Sequence, residues 1–175
     1  MFFLASILQN AIIKIPNGLM VGKVSFLAID PSQGKLVGLV FTRGLFVKQA
    51  FVIAPKNIMN AGDGIIMISS PEAVDPINEI IRVRDVFQAK IDFFGMPTIS
   101  ESGQFIGHCK DLLVDKESFF IHRFYIQSGQ SERIFSRDDV IGVTNKKLIV
   151  KDGALKQKVE DQKPLPSLNP APALA

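Results

Sequence analysis

A single cysteine, Cys109, is all the chain offers for thiol chemistry. An internal disulfide framework and a multi-cysteine zinc site are therefore excluded, and a reducing cytoplasm is the natural setting. No apolar run approaches the roughly 18 residues that a spanning helix requires, so no transmembrane helix is expected. The apolar start, Met1 to Ile13, has no Lys or Arg before it, is interrupted by Gln9 and Asn10, and precedes no small-x-small cleavage site. It reads as mature protein. Phe2, Phe3 and Leu4 leave peripheral membrane contact open as a reading the sequence does not favour. Charge of one sign is also scarce. The formal net charge is +3, spread as six basic and four acidic side chains over residues 1–75, ten of each over 76–150, and four against three beyond. Nothing in that distribution is a strong electrostatic footprint for nucleic acid.

What the chain does have is apolar residues in short runs. They make up 47% of it, at a mean hydropathy of +0.24, and are broken by Gly, Pro and charge. That is the pattern of a β-rich soluble protein. One stretch occurs twice: Gly22-Lys-Val-Ser-Phe-Leu-Ala-Ile-Asp30 aligns with Gly107-His-Cys-Lys-Asp-Leu-Leu-Val-Asp115 at an offset of 85 residues. Leu39 to Phe41 falls on Phe124 to Ile126 at the same offset. Ile58 falls on Val140 at an offset of 82, and Ile65 to Met67 on Leu148 to Val150 at 83. A length change of two or three residues in an intervening loop accounts for the drift, and the spacing predicts two tandem units.

Each unit reads as five or six short strands around a tight turn, Asp30-Pro31-Ser-Gln-Gly34 in the first, with one short helical or turn element near Ala54 to Ile58. The expected organisation is a first unit over residues 1–70, a connector over 71–90 with a short helix after Pro76, and a second unit over 91–153. A disordered tail over 154–175 follows, where Pro164, Pro166, Pro170 and Pro172 lie close together.

The repeated string, a Gly, four residues, three hydrophobic residues and an Asp, preceded by a Gly-containing turn and followed by a strand, resembles the opening hairpin of the PRC-barrel. That small β-barrel occurs in the H subunit of the photosynthetic reaction centre and in the C-terminal domain of a ribosome maturation factor. The resemblance covers residues 5 to 152 in two copies. It implies an all-β fold of two tandem small barrels with short helical turns, used mainly to bind proteins or ribonucleoprotein, and without a characteristic active site. The family often carries an acid four residues before the hairpin Asp. Here that position is Asp111 in the second copy and Phe26 in the first, which implies a polar contact on the outer face in one copy and an apolar contact between copies in the other.

Residues able to do chemistry are few. His108 and Cys109 are adjacent, so a strand points them to opposite faces and they cannot pair as base and nucleophile. Cys109 aligns with Val24, an apolar slot, and is expected to be a buried thiol. His122 lies on another strand, and no ligand spacing supports a zinc site with His108. Asp30 and Asp115 each end a strand before a turn, where an Asx side chain accepts backbone amides. The run Asn60-Ala-Gly-Asp-Gly64 precedes a strand and reads as a hairpin loop, not a phosphate loop. Arg123, Arg133 and Arg137 near Phe124, Tyr125 and Phe135 form a mixture that can stack bases, but Glu132, Asp138 and Asp139 stand among them. Gly44 to Phe51 places large apolar groups in and beside a loop; the default reading is core, and an exposed patch there would instead mark a protein interface.

The reading that follows is a non-catalytic protein-interaction or assembly adaptor with no cofactor and no metal, whose contact is exposed apolar and edge-strand surface. Its candidate contact residues are Phe46, Phe51, Arg123, Tyr125, Arg133 and Arg137. The alternative is an RNA- or ribosome-associated maturation factor that uses the barrel to bind ribonucleoprotein.

Overall fold

The computed structural model of the chain describes residues 1–144 and 146–156. Its strands are β1 (Phe2–Leu4), β2 (Ile12–Lys14), β3 (Met20–Asp30), β4 (Lys35–Arg43), β5 (Gln49–Ile53), β6 (Ile58–Gly62), β7 (Ile65–Ile68) and β8 (Val74–Pro76). An eight-residue helix α1 (Ile81–Gln88) follows, then β9 (Pro97–Ser100), β10 (Phe105–Asp115), β11 (Ile121–Ser128), β12 (Ser131–Ser136), β13 (Val140–Val143) and β14 (Leu148–Val150). Short 3-10 turns join them. Alternating burial is the reason these runs form strands: Thr98 and Ser100 of β9 and Ile66 and Ile68 of β7 point inward while their neighbours are half-buried or exposed.

The strands form two sheets. The first runs in the order β6-β7-β2-β3-β4-β5-β8, and the second runs β13-β14-β9-β10-β11-β12, with β1 joined to β10. Apart from β8 and β1 the two orders correspond strand for strand. So do the directions, since β2 with β7 and β9 with β14 are parallel and the other pairs antiparallel. The ladder irregularities coincide as well. Register slips between Val24 and Phe26 and between Ala28 and Ile29 in β3, and between Cys109 and Asp111 and between Leu113 and Val114 in β10. Each pair of slips is 85 residues apart. A bulge re-aims every side chain after it, so coincident bulges give the two long strands the same sequence of inward and outward residues.

Among the described residues no ladder joins β5 to β6 or β12 to β13, and neither sheet closes on itself. In the first sheet the outer edge of β5 is taken by β8, which pairs Val74, Asp75 and Pro76 with Ile53, Val52 and Phe51. The expected connector is thus part of the first sheet's structure. Its helix begins at Ile81, after a 3-10 turn at Ile77–Glu79, and lays Val83 and Val86 on Ala28, Val40 and Val52. Residues 2–4, expected with the first unit, pair with β10 of the second sheet instead. They fill the stretch of β10 from Leu113 to Asp115, where β9 does not reach.

A single apolar cluster lies between the sheets and takes Leu8, Ile13, Phe41 and Ile66 from one side and Leu112, Phe124, Leu148 and Val150 from the other. Each such side chain contributes about 1.5–3 kcal/mol by leaving water. Backbone bonds cross the junction, from the Ile121 amide to the Gly34 carbonyl (2.8 Å) and from the Leu36 amide to the Phe119 carbonyl (2.9 Å). Ala154 and Leu155, placed by the sequence reading in the tail, lie in a 3-10 turn over Asp152–Lys156 and pack on this cluster. The rest of the expected disordered tail lies outside the described residues.

Candidate functional site

The two sheets differ in how they are covered. On the outer face of the first sheet Phe26, Val40 and Val52 stand side by side across β3, β4 and β5, because Phe26 pairs with Val40 and Val40 with Val52. Helix α1 covers them, with Phe87 edge-on to Phe26 at 5.4 Å between ring centres. Phe26 therefore packs on α1, which corrects the expected contact between copies. The matching row of the second sheet is Asp111, Tyr125 and Ile134, paired in the same way across β10, β11 and β12. Among the described residues no α-helix lies on it. Asp111 Oδ1 accepts the Ser6 amide (3.0 Å) and the Leu112 amide (2.7 Å), so the N-terminal 3-10 turn covers its end of the row. Tyr125 and Ile134 stay half-exposed, and desolvation still pushes the Tyr125 phenol above its ordinary value.

Among the described residues the edge beside that row is unpaired too. Residues Arg133, Ile134 and Phe135 of β12 occupy the places that Phe51, Val52 and Ile53 hold in β5, as their partners in β11 and β4 show. In β5 the outer edge of those three residues carries β8. In β12 no described strand does so.

The structure separates the arginines that the sequence places near aromatic residues. Directly opposed residues of an antiparallel pair share a face. Arg123 and Tyr125 therefore lie on the outer face, while Arg133, opposite the buried Ile126, lies on the other. Arg137 sits away from both, in the 3-10 turn after β12, against Gly34 and within reach of the Val140 carbonyl oxygen (3.4 Å). A shallow cleft of about 310 Å³ opens there between Pro31, Ser32, Arg137 and Ile141. Arg123, Tyr125, Arg133 and Arg137 thus make no common base-stacking surface.

Phe46 and Phe51 separate in the same way. Phe51 is half-buried and stacked on Phe41 at 5.8 Å, so it belongs to the base of the β4–β5 hairpin. Phe46 is wholly exposed at the hairpin's tip, between Leu45 and Val47.

Of the titratable candidates, Cys109 is buried and His108 exposed, on opposite sides of β10. Burial pushes the Cys109 thiol up to about 12, which leaves it protonated and unreactive at neutral pH. His122 stacks on Phe2 at 4.8 Å, and among the described residues no three metal-ligating side chains come together. Asp30 and Asp115 both close turns. Asp30 is also paired with Arg82 of α1, an ion pair with no sequence signature. The uncovered row was missed by sequence reasoning as well. Its signal was present in the offset alignment, where Phe26 is replaced by Asp111 and Val40 by Tyr125.

No protein-family model matches the chain, and no curated protein matches it either.

Proposed function

We propose that the chain is a non-catalytic protein-interaction module built from two copies of one PRC-barrel-like unit, and that its contact is the edge of β12 with the adjoining Tyr125–Ile134 row. One observation carries this reading. The first sheet covers its own β5 edge with β8 and its own outer row with α1, whereas among the described residues no strand takes the equivalent edge of the second sheet and no helix covers Tyr125 and Ile134. A partner that contributes an extended segment would add main-chain hydrogen bonds along β12 and set an apolar side chain on Ile134 and Tyr125, as β8 and α1 do in the first sheet.

The test is affinity capture of full-length protein from its native organism in low and high salt, beside the variant Ile134→Glu. A defined partner that survives salt and is lost in the variant supports the reading. Salt-sensitive recovery of ribosomal subunits would favour a ribonucleoprotein role instead. Equal recovery by the variant, or no partner in either salt, counts against the β12 contact.

A further inference from the structure

The tip of the β4–β5 hairpin is used neither by the core nor by the proposed strand contact. Leu45, Phe46 and Val47 follow one another there with 94%, 100% and 82% of their surfaces in water. The turn does not need them. Its geometry is set by Gly44, at φ +117°, where a Cβ would fall on the Val47 carbonyl oxygen. The base beneath the tip is held in place: the Arg43 guanidinium lies 5.2 Å from the Phe41 ring centre and 5.4 Å from that of Phe51. Its Nε donates to the Val21 carbonyl oxygen at 2.7 Å. That bond ties the start of β3 to the end of β4, and Leu19 and Met20 just before Val21 are exposed as well. Cations accompany the apolar groups. Arg43 and Lys48 bracket the tip, and Lys14 pairs in register with Met20.

We propose that this end of the first sheet docks on an anionic lipid bilayer, with Leu45, Phe46 and Val47 inserted at the acyl boundary and Arg43, Lys48 and Lys14 at the level of the phosphates. A convex apolar tip offers no concavity for a rigid protein partner, but it matches a surface that is fluid and apolar within and negatively charged at its rim. A second copy of the chain fits less well, because it would bring the same cations face to face. The N-terminal Phe2, Phe3 and Leu4 are not the anchor, since they are paired along β10 and Phe2 is stacked on His122.

Full-length protein is mixed with vesicles of phosphatidylcholine alone or of phosphatidylcholine with phosphatidylserine, and sedimented. Wild type sediments with the mixed vesicles and less so as salt rises. Phe46→Asp lowers the partition coefficient by about tenfold or more, the loss expected for one large apolar side chain. Ile81→Asp, at an exposed position on α1, leaves it unchanged. Because the chain has no tryptophan, the F46W variant supplies a single reporter, and its emission shifts to the blue on adding mixed vesicles. Failure of wild type to sediment, equal binding to neutral vesicles, or sedimentation of F46D like wild type with an unchanged melting temperature overturns the proposal. So does an unshifted emission of the F46W variant, or a shift that appears without vesicles as protein concentration rises, which would assign the tip to a second copy.

Discussion

Asp30 and Asp115, 85 positions apart, close the same kind of turn: on one carboxylate oxygen, Oδ1, each accepts a serine hydroxyl and two backbone amides from the residues that follow. Their surroundings differ. Asp30 is buried and paired with Arg82 of α1, whereas Asp115 is half-buried, 3.9 Å from the N-terminal ammonium.

Burial pushes the Asp30 carboxyl up, but the Ser32 hydroxyl and amide, the Gln33 amide and Arg82 outweigh it and hold the group below its ordinary value. A carboxyl lowered in this way adds stability above its unfolded pKa, and that stability is lost as pH falls through the folded value. Asp30→Asn should therefore cost about 1–3 kcal/mol near neutral pH and flatten the acid limb of the stability profile. Asp115→Asn should cost less. Urea denaturation from neutral to acid pH checks both, and equal losses would contradict the distinction.

Residues 1–70 alone should not fold. Without β8 and α1, Ala28, Val40 and Val52 are uncovered and the outer edge of β5 is unpaired, and β1 has lost β10. A fragment ending at residue 70 should show no cooperative thermal transition by circular dichroism, whereas a sharp transition would restore the expected boundary.

Cys109 should resist alkylation until the protein opens, because its thiol is buried and held protonated up to about pH 12. Cys109→Val copies Val24 at the matching place and should change stability by less than about 1.5 kcal/mol, as volume-conserving apolar swaps do. Thiol titration in native buffer and in denaturant, with a melt of the variant, measures both. Rapid native reaction would place the thiol at the surface.

Gly44→Ala should destabilise the β4–β5 hairpin by about 1–3 kcal/mol, the cost of forcing a side chain into a strained backbone region. Gly18 also has positive φ, but a Cβ there meets nothing within 4 Å, so Gly18→Ala should cost less. Paired thermal melts decide the order.

Period-two alternation and turn chemistry made much of each sheet legible in the sequence. Cys109 opposite His108, the carboxylate-closed turns, and the correspondence of Leu39 with Phe124 all follow from residue type and spacing. The bulges near Val24 and Cys109 do not, since one residue out of register leaves no mark in composition. Residues 71–90 were read as a connector because a three-residue strand beside an eight-residue helix gives too short a run for either period to stand out. The place of β1 depends on pairing Phe2 with Asp115, more than a hundred residues away, and local sequence carries no signal for it. The surface around Tyr125 rests on pairing of the same long-range kind. Ile134 lies beside Tyr125 across the ladder, whereas Arg133 turns to the other face.

Amide hydrogen exchange of the full-length protein, alone and with its captured partner, tests the open β12 edge most directly. The account predicts that peptides covering Ser131 to Ser136 exchange quickly in the free protein and slow markedly on binding, and that Ile134→Glu abolishes the slowing. Unchanged exchange across β12 with protection elsewhere would contradict it.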